Sequence, residues 1–332
     1  MNKQQGPVNF ALIGAAGYIA PRHMKAIKDT GNQLVCALDP YDGVGVMDSY
    51  FPHADFFIEP ERFDRHLDKL RRLASSKKQL VDLKVDYVSI CSPNYMHDSH
   101  IRLALRNDAH AICEKPIVLN PWNLEALSKI EAECGKKVFT VLQLRLHPAI
   151  IALREKVQKG PKNKVYDLDL TYITSRGNWY YRSWKGDVSK SGGIATNIGV
   201  HFFDMLTWVF GKMNDNIVHV LDDHKASGLL LLEHARVRWF LSIDYNDIPE
   251  EVRKTGKRTY RSLLMGDHEI EFSDGFTDLH TEVYREIIAG RGFGLQDARQ
   301  SINIVYNIRN SQPIGLTGDY HPILKAISRN LQ

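Results

Sequence analysis

The sequence predicts an α/β protein in two parts: an N-terminal doubly wound parallel sheet, then an α+β domain with a mostly antiparallel open sheet. Three observations carry this reading. The chain has 332 residues, enough for two domains at about 100 to 200 residues each. Over residues 8–143 short apolar runs alternate with amphipathic stretches, the pattern of strands joined by crossover helices. Beyond His147 and Pro148 the alternation gives way to strand-like segments in succession, which sets the expected domains at 1–148 and 149–332.

In the first part, 8–13 is a continuous apolar run ending in glycine, 19–30 reads as helix, and 33–38 is a second apolar run ending in an acid. Residues 61–73 set Phe63, Leu67 and Leu70 at helical spacing among charges. Strands follow at 87–91, 110–113 and 137–143, alternating with helices at 97–106 and 124–134. In the second part, a helix at 150–158 precedes strands at 166–174, 217–221, 227–232, 237–245, 258–265 and 269–272. Helices are expected at 193–210, 277–290 and 295–310.

The composition excludes several classes. The 43 Lys and Arg residues are scattered among 39 Asp and Glu residues, so no basic face for nucleic acid is predicted. No run approaches the roughly 18 apolar residues of a membrane span. Residues 10–20 are apolar after a single lysine, but lack a strongly basic start and a small-residue cleavage site, and read as the first strand and turn. Cys36, Cys91, Cys113 and Cys134 show no metal or redox spacing, and three fall in strands, which fits a reducing cytoplasm. The histidines lack metal-ligand spacing, so no metal is expected. Gly290, Gly292 and Gly294 are followed by no Lys-Ser/Thr and read as a flexible loop.

Between the first strand and helix, Gly14, Ala16, Gly17, Tyr18, Ile19 and Ala20 form a turn with few bulky side chains. Backbone N–H groups at such a helix N-terminus can receive a diphosphate, as in a Rossmann dinucleotide site. The usual G-x-G-x-x-G is altered, with Ala16 in the second position, and Gly14, Gly17 and Ala20 make the better frame. Asp39, ending the second strand, can accept from both ribose hydroxyls and would repel a 2′-phosphate, which favours NAD over NADP. Ser92, Pro93, Asn94 and His97 follow the strand at 87–91, at the sheet edge where ligands bind; they line a cofactor, or Pro93 and Asn94 end the strand while His97 opens the next helix. Glu114 and Lys115 stand at the same edge before Pro116, and Gln143 ends the last strand.

These marks, together with Gly192 and Gly193 followed by Asn197 and His201, resemble the glucose-fructose oxidoreductase / inositol dehydrogenase (Gfo/Idh/MocA) family over essentially the whole chain. Within it, residues 18–24 (YIAPRHM), 183–187 (SWKGD), 190–193 (KSGG) and 272–280 (FSDGFTDLH) are similar to dehydrogenases of UDP-N-acetylglucosaminuronate. The resemblance implies oxidation of the sugar C3 hydroxyl to a ketone by NAD, on the way to 2,3-diacetamido uronic acids of O-antigen lipopolysaccharide. It also implies 2-oxoglutarate as an electron acceptor and a homotetramer. The alternatives are another sugar or cyclitol dehydrogenase of this fold, and a non-catalytic NAD-binding protein.

Oxidising a secondary alcohol needs a base and firm positioning. His201 suits proton transfer near neutrality, with Asn197 and Asp204 at helical intervals of four and three on the same face. Asp204 would hold the second imidazole nitrogen and Asn197 would orient the sugar. Lys115 can stabilise charge growing on oxygen or be the base itself, so the pair is assigned jointly. Asn197, where many family members carry Asp, cannot titrate and suits an anionic substrate. Arg145, Arg176, Arg182, Lys185 and Arg261 are the cations available for a diphosphate and a carboxylate, with Arg145 and Lys185 foremost. Tyr181, Trp179 and Trp184 either stack on the ligand or fill core.

Overall fold

The computed structural model describes residues 6–76, 84–270 and 278–329. The chain forms two compact units that do not follow a single cut. One takes the described residues within Met1–Val118, Trp122–Gln143 and Thr277–Ala298; the other takes those within Leu119–Pro121, Leu144–Phe276 and Arg299–Gln332. The expected division at 148 treated both parts as continuous, whereas a late segment returns to the first unit.

The first unit is built on six parallel strands, β1 (Asn9–Ile13), β2 (Gln33–Leu38), β3 (Asp55–Phe57), β4 (Tyr87–Ile90), β5 (His110–Cys113) and β6 (Val138–Thr140), in the order β3-β2-β1-β4-β5-β6. This is the doubly wound order, with its switch point between β1 and β4. Phe10, Leu12, Val88, Ile90, Ala111 and Ile112 are buried, as strands covered on both faces require. Helices Ala20–Asp29, Pro60–Ser76, His97–Arg106 and Pro121–Cys134 fill the expected intervals. The late helix Leu279–Ile288 packs on Ala20–Asp29.

The expected strand at 137–143 is shorter: β6 stops at Thr140, and a 3₁₀ turn, Gln143–Leu146, follows. The glycine-rich loop expected to be flexible is instead anchored to this strand. Thr140 N donates to the Phe293 carbonyl at 2.9 Å, Phe139 and Gly294 form a bridge, and a Cβ on Gly292 would lie 2.5 Å from Ile287.

The second unit has six strands, β7 (Tyr166–Thr174), β8 (Met213–Leu221), β9 (Lys225–Leu232), β10 (Ala235–Ser242), β11 (Thr259–Met265) and β12 (His268–Glu269), ordered β12-β11-β7-β10-β9-β8. All neighbours are antiparallel except β7 and β10. Trp239, Phe240 and Leu241 of β10 are buried. The strand expected at 237–245 ends at Ser242, because Asp244 caps a 3₁₀ turn at Tyr245–Asp247. Residues 271–272 of the last expected strand lie outside the described residues, as do 272–277 of the segment that ends at His280. The helix expected at 193–210 is a π-helical turn, Ala195–Gly199, leading into an α-helix, Val200–Phe210.

Candidate active site

The turn after β1 is built for close approach. Gly14 has φ +89°, and a Cβ there would sit 2.7 Å from the Cys91 carbonyl, so a side chain is excluded on both grounds. Asp39 is buried at the end of β2. Its Oδ2 accepts from the Ala16 N–H and its Oδ1 from the Tyr41 N–H, each at 2.9 Å. A carboxylate has about four acceptor positions, so Asp39 holds the glycine turn and retains capacity for ribose hydroxyls. The next helix begins after Ile19, which supplies no side-chain cap, and has no acid in its first turn. Ala20 N and Arg22 N already donate to the Gly17 and Ile19 carbonyls and Pro21 has no N–H, so an anion would be met by the turn before the helix and by the positive end of the helix dipole. Ala16 and Tyr18 are exposed and Gly17 and Ile19 half-buried. This cradle fits a dinucleotide diphosphate.

At the β4 edge, Ser92 and Asn94 are buried, and Ser92 Oγ pairs with His100 Nδ1 at 2.8 Å. Burial pushes the His100 imidazole down to about 4, so it is neutral. His97 lies beneath the edge, its Nδ1 2.7 Å from the Pro116 carbonyl and its Nε2 2.8 Å from the Ser92 carbonyl. It therefore ties the turn after β4 to the turn after β5, and any influence on a cofactor passes through those turns. Gln143 Oε1 is buried without a hydrogen-bond partner among the described residues, and fits an incoming amide donor such as a nicotinamide carboxamide.

Lys115 is half-buried and precedes a cis bond to Pro116. Its backbone N–H donates to Glu114 Oε2 at 3.2 Å. Glu114 Oε1 meets both His23 Nε2 and His280 Nε2 at 3.0 Å. Burial pushes the Glu114 carboxyl up, but the hydrogen bonds from the two imidazoles outweigh it and hold the group well below the usual carboxylate range. His23 is pushed down by burial. The ligand-capable atoms of His23, Glu114 and His280 lie within 4.8 Å of one another, yet the three are already joined as donors and acceptor. Neither histidine was marked as a site residue, since a lone histidine at a helix start or end carries no spacing signal.

In the second unit, Asn197 belongs to the π-helical turn and its Nδ2 donates to Tyr180 Oη at 2.9 Å. His201 lies in the first turn of Val200–Phe210, its ring 4.0 Å from that of Phe202. Asp204, expected to hold the second imidazole nitrogen of His201, has an arginine partner. Asp204 is buried and accepts from Arg145 Nε at 2.9 Å and Nη2 at 2.7 Å. Arg145, expected to meet a substrate anion, is equally buried, and its planar fork is matched by that carboxylate.

A 240 Å³ cavity in this unit is lined by Tyr180, Tyr181, Lys185, Gly193, Asp222 and Arg309, among others. Tyr180 thus joins the cavity wall to Asn197. Gly192 and Gly193, at φ +82° and +80°, turn the chain at its edge, and a Cβ on Gly192 would lie 2.7 Å from Thr196. Lys185 Nζ sits 4.2 Å above the Trp184 ring, and Tyr181 Oη pairs with His224 Nδ1 at 2.7 Å. Arg261 stacks over Tyr172 and Phe202, away from the cavity lining.

A dinucleotide cradle on a doubly wound sheet, followed by an α/β unit holding Asn197 and His201, defines an NAD-binding oxidoreductase. The family model described as "Oxidoreductase family, NAD-binding Rossmann fold" matches residues 8–142, and that of the "C-terminal alpha/beta domain" matches residues 161–228. Two solved structures of the WlbA (WbpB) dehydrogenase from Thermus thermophilus superpose with a TM-score of 0.89, covering 95% of this chain and 99% of theirs. One, 50% identical, is in complex with NAD and alpha-ketoglutarate; the other, 49% identical, with NAD and UDP-GlcNAcA. The D-glucoside 3-dehydrogenase of Escherichia coli (strain K12) is 26% identical over 62% of this chain and 54% of its own length. The chain spans about half the length of the curated relatives it matches. It belongs to the Gfo/Idh/MocA oxidoreductase family. Among the described residues no helix is long and apolar enough to cross a membrane.

Proposed function

We propose that the protein oxidises the C3 hydroxyl of UDP-N-acetylglucosaminuronate to a ketone, with NAD as cofactor. One observation carries the reading: the 49–50% identity, over nearly the full length of both chains, to dehydrogenases solved with NAD and either UDP-GlcNAcA or alpha-ketoglutarate. Fold alone would not support a substrate.

Gly14, Ala16 and Gly17 with the helix start at Tyr18 and Ile19 receive the diphosphate, Asp39 binds the adenosine ribose, and Ser92, Pro93, Asn94 and Gln143 line the remainder. Bound NAD supplies the hydride acceptor. Lys115 and His201 act jointly on the substrate hydroxyl, one taking its proton while the other stabilises the charge that grows on oxygen. Asn197 orients the sugar without adding negative charge. Tyr181, Lys185 and Arg261 serve the nucleotide and uronate groups; Arg145, matched by Asp204, supports the helix behind them. A 2-oxo acid, 2-oxoglutarate, would be reduced to the 2-hydroxy acid by the hydride together with a proton returned by the Lys115 and His201 pair, which restores NAD. The protein works in the cytoplasm as a homotetramer, and its product is aminated toward 2,3-diacetamido uronic acids of O-antigen.

The test is a single-turnover measurement of NADH absorbance with UDP-GlcNAcA, UDP-GlcNAc or myo-inositol. Reduction with the first is expected, and turnover of the cyclitol alone would overturn the assignment. Lys115→Ala and His201→Ala should keep NAD binding and lose about 10²- to 10⁴-fold in hydride transfer. Light scattering reads the tetramer.

A further inference from the structure

Two of the segments that mark the subgroup, 18–24 and 272–280, lie about 250 residues apart in the chain and end on the same atom. The first contributes His23 from helix Ala20–Asp29; the last residue of the second, His280, comes from helix Leu279–Ile288. Both imidazole Nε2 atoms stand 3.0 Å from Glu114 Oε1. The nucleotide cradle and the proposed base pair use neither histidine.

The hydrogens in this cluster can be assigned. A carboxylate only accepts, so both Nε2 atoms carry hydrogen. His23 Nδ1 then accepts from Tyr284 Oη at 2.8 Å, and Tyr284 Oη in turn accepts from Ser89 Oγ at 2.5 Å. The Lys115 N–H occupies Glu114 Oε2. All five residues, Ser89, Tyr284, His23, Glu114 and His280, are buried. The network closes with neutral His23 and a carboxylate as the acceptor at its end. It also accounts for the return of the late segment to the first unit, because His280 and Tyr284 both arrive on it.

We propose that His23 and His280 are positioning residues for the hydride-transfer reaction: they hold Glu114 as a buried anion that grips the Lys115 backbone N–H and so sets where Lys115 presents its ammonium group. The proposal rests on the redox reading above for its kinetic part alone. Other titratable groups near Glu114 are Cys91 and Cys113, both thiols pushed up by burial, Tyr284, likewise pushed up, and His97. Arg22 faces His23. Burial lowers His23 from its ordinary 6.5, and Glu114 lies below its ordinary 4.5. Each therefore contributes stability that is present above the ordinary value and is lost as pH falls toward the folded one.

The experiment compares the full-length wild type with His280→Leu and His280→Gln. Thermal melting without ligands is followed from pH 4 to pH 8, about the range in which imidazoles and carboxyls titrate. In His280→Leu, Glu114 keeps one imidazole donor, so its folded value moves up toward the ordinary one: the melting temperature above the carboxyl range should fall, and its further decline on the acid side should be shallower than in the wild type. His280→Gln, whose amide can donate, should restore the wild-type profile. Single-turnover hydride transfer at neutral pH should drop about tenfold in His280→Leu, with the KM for the sugar unchanged and the acid limb of the rate moved to higher pH as the folded carboxyl protonates earlier. A folded His280→Leu protein with wild-type melting and rate profiles overturns the proposal. So does zinc bound one per chain in the wild type and absent from His280→Leu. If the wild type reduces no NAD with any UDP-sugar, the functional reading falls, while the melting profiles still decide the network.

Discussion

Glu114 and Asp204 are both carboxylates sealed from water, one in each unit, and they are matched by different partners. Asp204 faces the planar fork of Arg145, a group that keeps its charge under all ordinary conditions. Glu114 faces two imidazoles and a backbone N–H, three separate donors, none of them a guanidinium. The first arrangement is a fixed strut behind the helix that carries His201. The second is divided among separate donors, and it lies one residue before Lys115. A buried charge therefore serves rigidity in one unit and positioning in the other.

The largest expected effect breaks the strut. Arg145→Met takes the guanidinium from buried Asp204, and should cost about 3–5 kcal/mol in denaturant unfolding, most of it regained in Arg145→Met/Asp204→Leu. A loss below about 1 kcal/mol would mean that Asp204 has water to turn to, and the contrast would fail. Tyr284→Phe acts on the other carboxylate at one remove. It removes the hydroxyl that donates to His23, and should cost about 1–3 kcal/mol with an acid-side profile shallower than wild type, because neutral His23 loses its donor and protonates more readily; a parallel profile would detach Tyr284 from the network. The smallest effect concerns a third carboxylate, Asp39, whose recorded partners are backbone N–H groups. Asp39→Ala should weaken NAD about tenfold, about 1.4 kcal/mol, and narrow the preference over NADP, as read by calorimetric titration.

Much of the scaffold was legible because period and punctuation are local. The runs that became β2, β5 and β7 and the helices His97–Arg106 and Leu295–Asn310 were bounded correctly by apolar pattern and turn residues. Short elements with little pattern escaped: β3 has three residues, and helix Val44–Asp48 has five. The π-helical turn at Ala195–Gly199 was hidden because its residues read equally well as α-helix. At the site, the glycine turn and Asp39 were readable from spacing along one βαβ unit. The Arg145–Asp204 pair and the convergence of His23 and His280 on Glu114 were not, since they join positions 59, 91 and 166 residues apart. The carboxylate partner of Arg145 was hidden for that reason: an arginine advertises charge in a sequence but not the carboxylate that will meet it.

The return of residues 278–298 to the first unit has a consequence for how the molecule is made. A ribosome releasing the chain from its N-terminus delivers all six parallel strands early, but Glu114 waits for the second of its imidazoles until more than four-fifths of the polypeptide has been synthesised. A gene fragment ending at Gln143 would therefore yield a nucleotide-binding half whose central acid holds only one of its two imidazole donors.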